Sequence, residues 1–323
     1  MINILYTVDN NFVPQLATNI CSCCHNAGES DRLHFYVFSK GVSQDNRDTL
    51  QDFVASLDQV IDFIDIDNFT DRLGFEFDTS GWNEIVLARL LMASFLPDFL
   101  DRILYLDGDT LVRSSLSSLW DTDLRGNTLG MVMEPTANRC RLEELGIASY
   151  PYFNAGVMLV DLSAWRARKT ERRLLDYCAS NNGRLFANDQ DAINYVLRDE
   201  IYTLSPAYDY ANSFDIYPYR LLKKQMPKFV SERTFDDAKA NPVIVHFLGE
   251  DRPWRKGNTH RFSDEYHGYL AMTPWSSSQD ETGWERYFTC WRLFNTFTKP
   301  FPGLRLHIIN ALIPAMLRWR SRR

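Results

Sequence analysis

The chain of 323 residues carries 35 Lys or Arg against 42 Asp or Glu, with 45% apolar and 24% charged side chains. That composition excludes a disordered chain, a collagen-like repeat and a disulfide scaffold, and it leaves one large domain or one domain with an appendage. The formal charge of −7 is uneven: residues 284–323 hold eight bases and one acid, leaving 27 bases and 41 acids before them, and so acidic a body excludes general nucleic-acid binding.

Met1 leads directly into the apolar run Ile2–Val8, without the basic segment and cleavable apolar stretch of a secretory signal, which predicts a cytoplasmic chain. A helix is predicted from about Val13, with Leu16, Ala17, Ile20, Cys21 and Cys24 at helical spacing. The single Cys-x-x-Cys lacks the second pair that a structural zinc needs, so these thiols read as buried helix residues. Leu33–Phe38 predicts a second strand, a helix capped by Ser43 follows, and Val60–Ile66 predicts a third strand. This βαβαβ order predicts an α/β fold with a mostly parallel sheet covered by helices. The loop after the first strand, Thr7-Val8-Asp9-Asn10-Asn11-Phe12, has no glycine, so a dinucleotide pyrophosphate turn is absent. Glu84–Phe95 predicts a helix stopped by Pro97, and Arg102–Leu106 a short strand ending at Asp107. Later strands are predicted at Thr128–Val132, Val157–Val160, Ile201–Leu204 and Val243–Phe247, with helices near Ser163–Ala179 and Asp189–Arg198. The linker-like stretch Thr273–Gln279 sets a boundary between a body of residues 1–279 and a basic, aromatic, helical tail of residues 280–323. No window reaches the roughly 18 apolar residues that span a bilayer.

Four Asp-x-Asp pairs occur, so the spacing alone is weak. Asp107-Gly108-Asp109 differs from the others because apolar residues flank it on both sides, where isolated carboxylates are expensively desolvated and a divalent cation is the usual remedy. Gly108 permits a close backbone approach at that bend. A second constellation, Val243 to Trp254, delivers His246 at the end of a strand, followed by Gly249 and Arg252. An imidazole suits a Mn²⁺-like ion beside two carboxylates, and a guanidinium suits a phosphate oxygen.

In these motifs the chain resembles the family 8 retaining glycosyltransferases, relatives of the lipooligosaccharide galactosyl- and glucosyltransferases and of glycogenin, from Ile2 to about Trp275. The resemblance implies a glycosyltransferase A-type catalytic domain. Within the first loop, Thr7, Asp9, Asn11 and Phe12 inherit the hold on the uracil and ribose of a UDP-sugar. Arg89, in Leu87-Ala88-Arg89-Leu90, resembles the arginine that reaches donor sugar and diphosphate. Tyr105–Asp109 resembles the metal-binding strand, with Asp107, Gly108 and Asp109 at its end and His246 as the distant third ligand; Mn²⁺ is the implied ion, with Mg²⁺ as the other choice. Asn154 and Ala155, in Tyr152–Val157, resemble the segment that contacts the sugar. In Asn188-Asp189-Gln190-Asp191, Asp189 matches the acid that binds donor hydroxyls and Gln190 the residue near the anomeric carbon. Gly249 and Arg252 resemble the pyrophosphate clamp, where the family usually has Lys instead of Arg.

The implied reaction moves galactose or glucose, with retention, from a UDP-hexose to a saccharide or glycolipid acceptor in surface-glycan synthesis. Because the residue near the anomeric carbon is an amide, a same-face mechanism is favoured over double displacement, the departing phosphate helping to deprotonate the acceptor. Two other readings compete. A phosphohydrolase of the haloacid dehalogenase type would need Asp-x-Asp-Gly-Thr near the start of the chain, whereas the order here is Asp-Gly-Asp-Thr a third of the way along. A non-catalytic sugar-nucleotide-binding protein would keep the fold without turnover. In the tail, aromatic residues from Trp284 to Phe297 precede Leu304, Ile308, Ile309, Leu312, Ile313, Met316 and Trp319, with Arg318, Arg320, Arg322 and Arg323 at the end. That pattern predicts a helix lying on an anionic membrane surface, peripherally and on the inner face of the cytoplasmic membrane.

Overall fold

A computed structural model describes residues 1–78, 83–137 and 139–320, with the side chains of 313–320 left out. Among the described residues ten strands form two sheets: β1 (Ile2–Asp9), β2 (Leu33–Lys40), β3 (Val60–Asp65), β4 (Arg102–Leu106), β5 (Thr110–Val112), β6 (Leu129–Met133), β7 (Phe153–Asp161), β8 (Ile201–Thr203), β9 (Tyr210–Ala211) and β10 (Ile244–His246). The large sheet runs β3-β2-β1-β4-β7-β6-β8, and only β7 opposes its neighbours. The predicted α/β fold and mostly parallel sheet are therefore present.

Central strands of this sheet are apolar on both faces because helices cover both, and Ile4, Leu5, Tyr6, Leu104, Tyr105 and Leu106 are fully buried. The chain leaves β1 toward β2 and β3, then returns to lay β4 on the other flank of β1. That reversal opens a crevice at the carboxyl ends of β1 and β4, where open α/β sheets bind their ligands. Asp9 and Asp107 stand at those two ends. The small sheet β5-β10-β9 closes one side of the crevice, with His246 of β10 paired to Thr110 of β5.

Several boundaries differ from expectation for identifiable reasons. The first helix (Val13–His25) and the second (Gln44–Ser56, capped by Ser43 Oγ on Asn46 N) fall where the pattern placed them. The predicted helix at Glu84–Phe95 is instead a run of 3₁₀ turns, Glu84–Leu91, with one α turn, Met92–Phe95. There the buried Arg89 bends back to its own Val86 carbonyl. Ser163–Ala179 divides into Leu162–Ala167 and Thr170–Ser180 because Lys169 adopts a left-handed φ of 51°. The strands β5 and β9, of three and two residues, are too short for periodicity to reveal.

Beyond residue 280 lie the helices Glu285–Thr298 and Pro302–Arg320. Part of this tail packs inward. Arg305, 3% exposed, sits 5.0 Å from the ring centroids of both Trp291 and Phe294 and donates to Thr298 Oγ1, and Phe288 and Leu306 are buried. Arg255 of the body lies 3.8 Å from the Trp284 ring and bonds Glu281, tying the tail to the loop that carries Arg252. Another set, Leu293, Phe297, Phe301, Leu304 and Leu312, is exposed. Among the described residues no helix is long and apolar enough to cross a membrane. The expectations for Ile313, Met316, Trp319 and the terminal arginines fall outside the described side chains.

Candidate active site

The site is assembled at the turn between β4 and β5. Asp107 N donates to Gly156 O (2.7 Å) and Phe247 N to Asp109 O (2.9 Å), so the turn is pinned by β7 on one side and by the end of β10 on the other. Gly108 brings the turn close to the Phe12 ring: a Cβ would stand 2.8 Å from Phe12 Cε1, so the ring would have to shift. Gly156 is the more tightly constrained, because a Cβ would stand 2.1 Å from Cε1 of the buried His246.

Asp107, Asp109 and His246 converge, each offering one ligand atom within 4.8 Å of the others. His246 Nε2 lies 3.3 Å from Asp109 Oδ1 and 3.9 Å from Asp107 Oδ2. Its Nδ1 bonds Asp209 Oδ1 at 2.8 Å, which fixes the ring and presents Nε2 to the two acids. Burial opposes charge on this imidazole, but Asp209 and Asp109 outweigh it and hold His246 well above its usual range. Two carboxylates and an imidazole with a carboxylate behind it form a donor set that fits a divalent cation. Burial likewise pushes the Asp109 carboxyl up, yet Arg252 and His246 overcome it and hold Asp109 well below the carboxylate range. Arg252 Nη2 is 2.9 Å from Asp109 Oδ2, so the arginine expected to face a diphosphate pairs with a carboxylate of the cation set.

Arg89 is the second organising cation. Only 4% exposed, it places Nη2 3.0 Å from Asp107 Oδ1 and Nε 3.0 Å from Asp189 Oδ2, and donates from Nη1 to Ala155 O at 2.7 Å, while its guanidinium lies 4.6 Å from the Tyr105 ring centroid. Burial works against its charge, and Asp107 and Asp189 more than restore it. Asp189, in the first turn of the helix Asn188–Val196, is pushed up to about 6, chiefly by burial, with Arg89 opposing the rise.

The other predicted residues make their own local contacts. Thr7 Oγ1 lies 3.0 Å from Tyr105 OH, which also donates to Asp107 Oδ1 (2.7 Å). Asp9 caps the next turn through Asn11 N and Phe12 N and accepts from Asn83 Nδ2. Phe12 meets Trp254 edge-on at 5.7 Å, and Asn11 is exposed. Asn154 and Ala155 stand at the start of β7, and Gln190 Oε1 accepts from Ala155 N at 3.0 Å. Gly249 turns at φ 70° with open space around it. Sequence reasoning passed over Asp209, which precedes a two-residue strand, and Glu134, the acid that follows the wholly apolar β6. An acid directly after a buried strand, as at Asp107, was the available signal for Glu134.

Such a sheet, with a carboxylate turn at the crevice between β1 and β4, is the glycosyltransferase A-type fold. The chain belongs to glycosyl transferase family 8, whose model matches residues 3–258. It is similar to General stress protein A of Bacillus subtilis, 27% identical across 86% of this chain and 96% of that one. It is also similar to the lipopolysaccharide 1,3-galactosyltransferase of Salmonella typhimurium, 24% identical across 85% and 79%. Among solved structures, the galactosyltransferase LgtC in complex with donor and acceptor sugar analogues shares the fold at a TM-score of 0.73, with 23% identity over 88% of this chain and 99% of that one.

Proposed function

We propose that this glycosyltransferase transfers galactose or glucose, with retention of configuration, from a UDP-hexose to a saccharide or glycolipid acceptor of a surface glycan. The observation that carries this reading is the convergence of Asp107, Asp109 and His246 beside Arg89 and Asp189. In an acidic protein without a glycine-rich phosphate cradle, a cation held by its acids would offset the charge of a nucleoside diphosphate. Mn²⁺ is the ion of choice for an imidazole and two carboxylates, with Mg²⁺ second. When bound, such an ion supplies Lewis-acid stabilisation of the departing UDP.

The protein's own residues have separable parts. Asp107, Asp109 and His246 would hold the cation, and Arg252 would exchange Asp109 for a diphosphate oxygen. Thr7, Asp9, Asn11 and Phe12 hold the nucleoside, and Gly108 and Gly249 let the backbone approach the phosphates. Asp189 accepts donor hydroxyls, Arg89 fixes that carboxylate and faces the diphosphate, and Asn154 and Ala155 border the sugar. Gln190 is an amide and a poor nucleophile, so the acceptor attacks on the face the leaving group vacates. The body, residues 1–279, acts at the inner face of the cytoplasmic membrane, held to anionic lipid by the exposed side chains and arginines of residues 280–323. Proton NMR of a UDP-α-hexose incubated with the protein tests the reaction. The first product formed carries an α-anomeric signal; a β product appearing first would reject retention.

A further inference from the structure

Glu134 follows β6, and its backbone N–H donates to Tyr152 O at 2.8 Å, so its position is set by the continuation of the β6–β7 pairing. One oxygen, Oε2, receives two amides: Asn154 Nδ2 at 3.2 Å and Gln190 Nε2 at 3.1 Å. Both amides turn their oxygens to backbone, Asn154 Oδ1 accepting from Gly156 N at 2.7 Å and Gln190 Oε1 from Ala155 N at 3.0 Å. Tyr152 OH donates to Asp191 Oδ1 at 2.6 Å, which commits its proton and leaves it accepting from Gln190 Nε2 at 3.1 Å. Arg141 bonds both Asp191 and Tyr152, completing that arm.

An ionised carboxylate only accepts, so it selects one of the two amide orientations. A flipped Gln190 would set its oxygen against Glu134 and its NH₂ against Ala155 N–H; a flipped Asn154 would clash with Gly156 N–H in the same way. Without Glu134, one N–H of each amide loses its partner and the orientation is no longer imposed from the carboxylate side. In the assigned orientation both Gln190 N–H groups are used, and the one capacity left on the side chain is the second lone pair of Oε1.

We propose that Glu134 is a positioning residue that locks the Gln190 and Asn154 carboxamides in a single orientation, oxygen toward the β7 backbone, for the transfer step. The role rests on the proposed transferase reading, and its test separates the two. In the full-length protein, Glu134→Leu lowers kcat for UDP release from a UDP-hexose without acceptor by about a hundredfold, the cost of a misplaced group at the reacting centre. UDP affinity in the presence of Mn²⁺ stays within about twofold, because Glu134 bonds none of Asp107, Asp109 and His246. Glu134→Gln, which keeps an accepting oxygen, recovers most of the loss, and Glu134→Asp falls between.

Two kinetic results overturn the proposal: acceptor-free UDP release unchanged in Glu134→Leu while transfer to an acceptor falls, which makes Glu134 an acceptor contact, or Glu134→Gln as impaired as Glu134→Leu. A readout independent of turnover covers a wild-type protein that releases no UDP, the outcome that fails the transferase reading alone. The Gln190 and Asn154 side-chain amide ¹⁵N–¹H signals, assigned by Gln190→Glu and Asn154→Asp, should be sharp and shifted in wild type and in Glu134→Gln. They should collapse toward solvent values in Glu134→Leu; signals unchanged in Glu134→Leu refute the lock.

Discussion

Gly156→Ala probes whether the imidazole of His246 is held as rigidly as the cation set requires. The added methyl would lie 2.1 Å from His246 Cε1 and 2.6 Å from Nδ1, where ordinary contact begins at 3.4 Å, so the ring would have to retreat by about 1.3 Å. It has little room to do so: His246 is 3% exposed, and its 2.8 Å bond to Asp209 does not survive a shift of that size. Overpacking of this kind costs about 1–3 kcal/mol, and loss of the carboxylate behind a metal-binding histidine typically weakens metal binding about 10–100-fold. The assay is Mn²⁺ titration by electron paramagnetic resonance, with thermal melting in parallel. Gly268→Ala serves as the control, since no atom lies within 4 Å of its would-be Cβ. Gly156→Ala should bind Mn²⁺ at least tenfold more weakly than wild type and melt several degrees lower, while Gly268→Ala, inside the helix Ser263–Leu270, binds Mn²⁺ like wild type and melts no lower. Wild-type Mn²⁺ affinity in Gly156→Ala would mean that the His246 ring is not held rigidly for the ion.

Asp189, lifted to about 6, must be ionised to accept donor hydroxyls, so kcat should fall as pH drops through that value, and Asp189→Asn should abolish this acid limb along with most of kcat. The same shift, from 3.8 to about 6, makes its ionised form cost about 3 kcal/mol of stability above pH 6, and the cost is relieved as pH falls below the folded-state value. Arg252→Ala removes the cation that pairs with Asp109, so nucleotide-free Mn²⁺ binding should tighten by about fivefold, roughly 1 kcal/mol, while UDP binding with Mn²⁺ weakens; calorimetry reads both. Phe297→Ser with Phe301→Ser and Leu304→Ser replaces exposed tail residues without touching buried Arg305 or Leu306. This variant should lose sedimentation with anionic vesicles and keep acceptor-free UDP release; undiminished sedimentation would reject the membrane role.

The alternation of short apolar runs with helical patterns made the parallel half of the sheet readable, because strands buried on both faces have to be continuously apolar, as Ile2–Val8 and Leu33–Phe38 are. The cluster of Asp107, Asp109 and His246 was readable for a related reason: Asp107 and Asp109 interrupt apolar residues at a strand end, and His246 closes another apolar strand. What brings His246 to those acids was not readable. It depends on β5 and β9, three- and two-residue strands with no periodicity of their own, and on the buried Asp209 behind the ring. Glu134 was hidden because its importance lies in two amides 20 and 56 residues further along the chain. The tail pattern ran together residues that face opposite ways, since Phe288 and Leu306 are buried while Phe297 and Leu304 are exposed. Spacing alone does not separate the two faces when both are apolar.

UDP release tests the proposed transfer most directly. Full-length protein should release UDP from UDP-galactose or UDP-glucose in Mn²⁺, stop in EDTA, resume when Mn²⁺ is restored, and lose nearly all turnover in a folded Asp109→Ala variant. Undiminished release in EDTA, or no release from either donor in Mn²⁺ even with saccharide acceptors present, would contradict it.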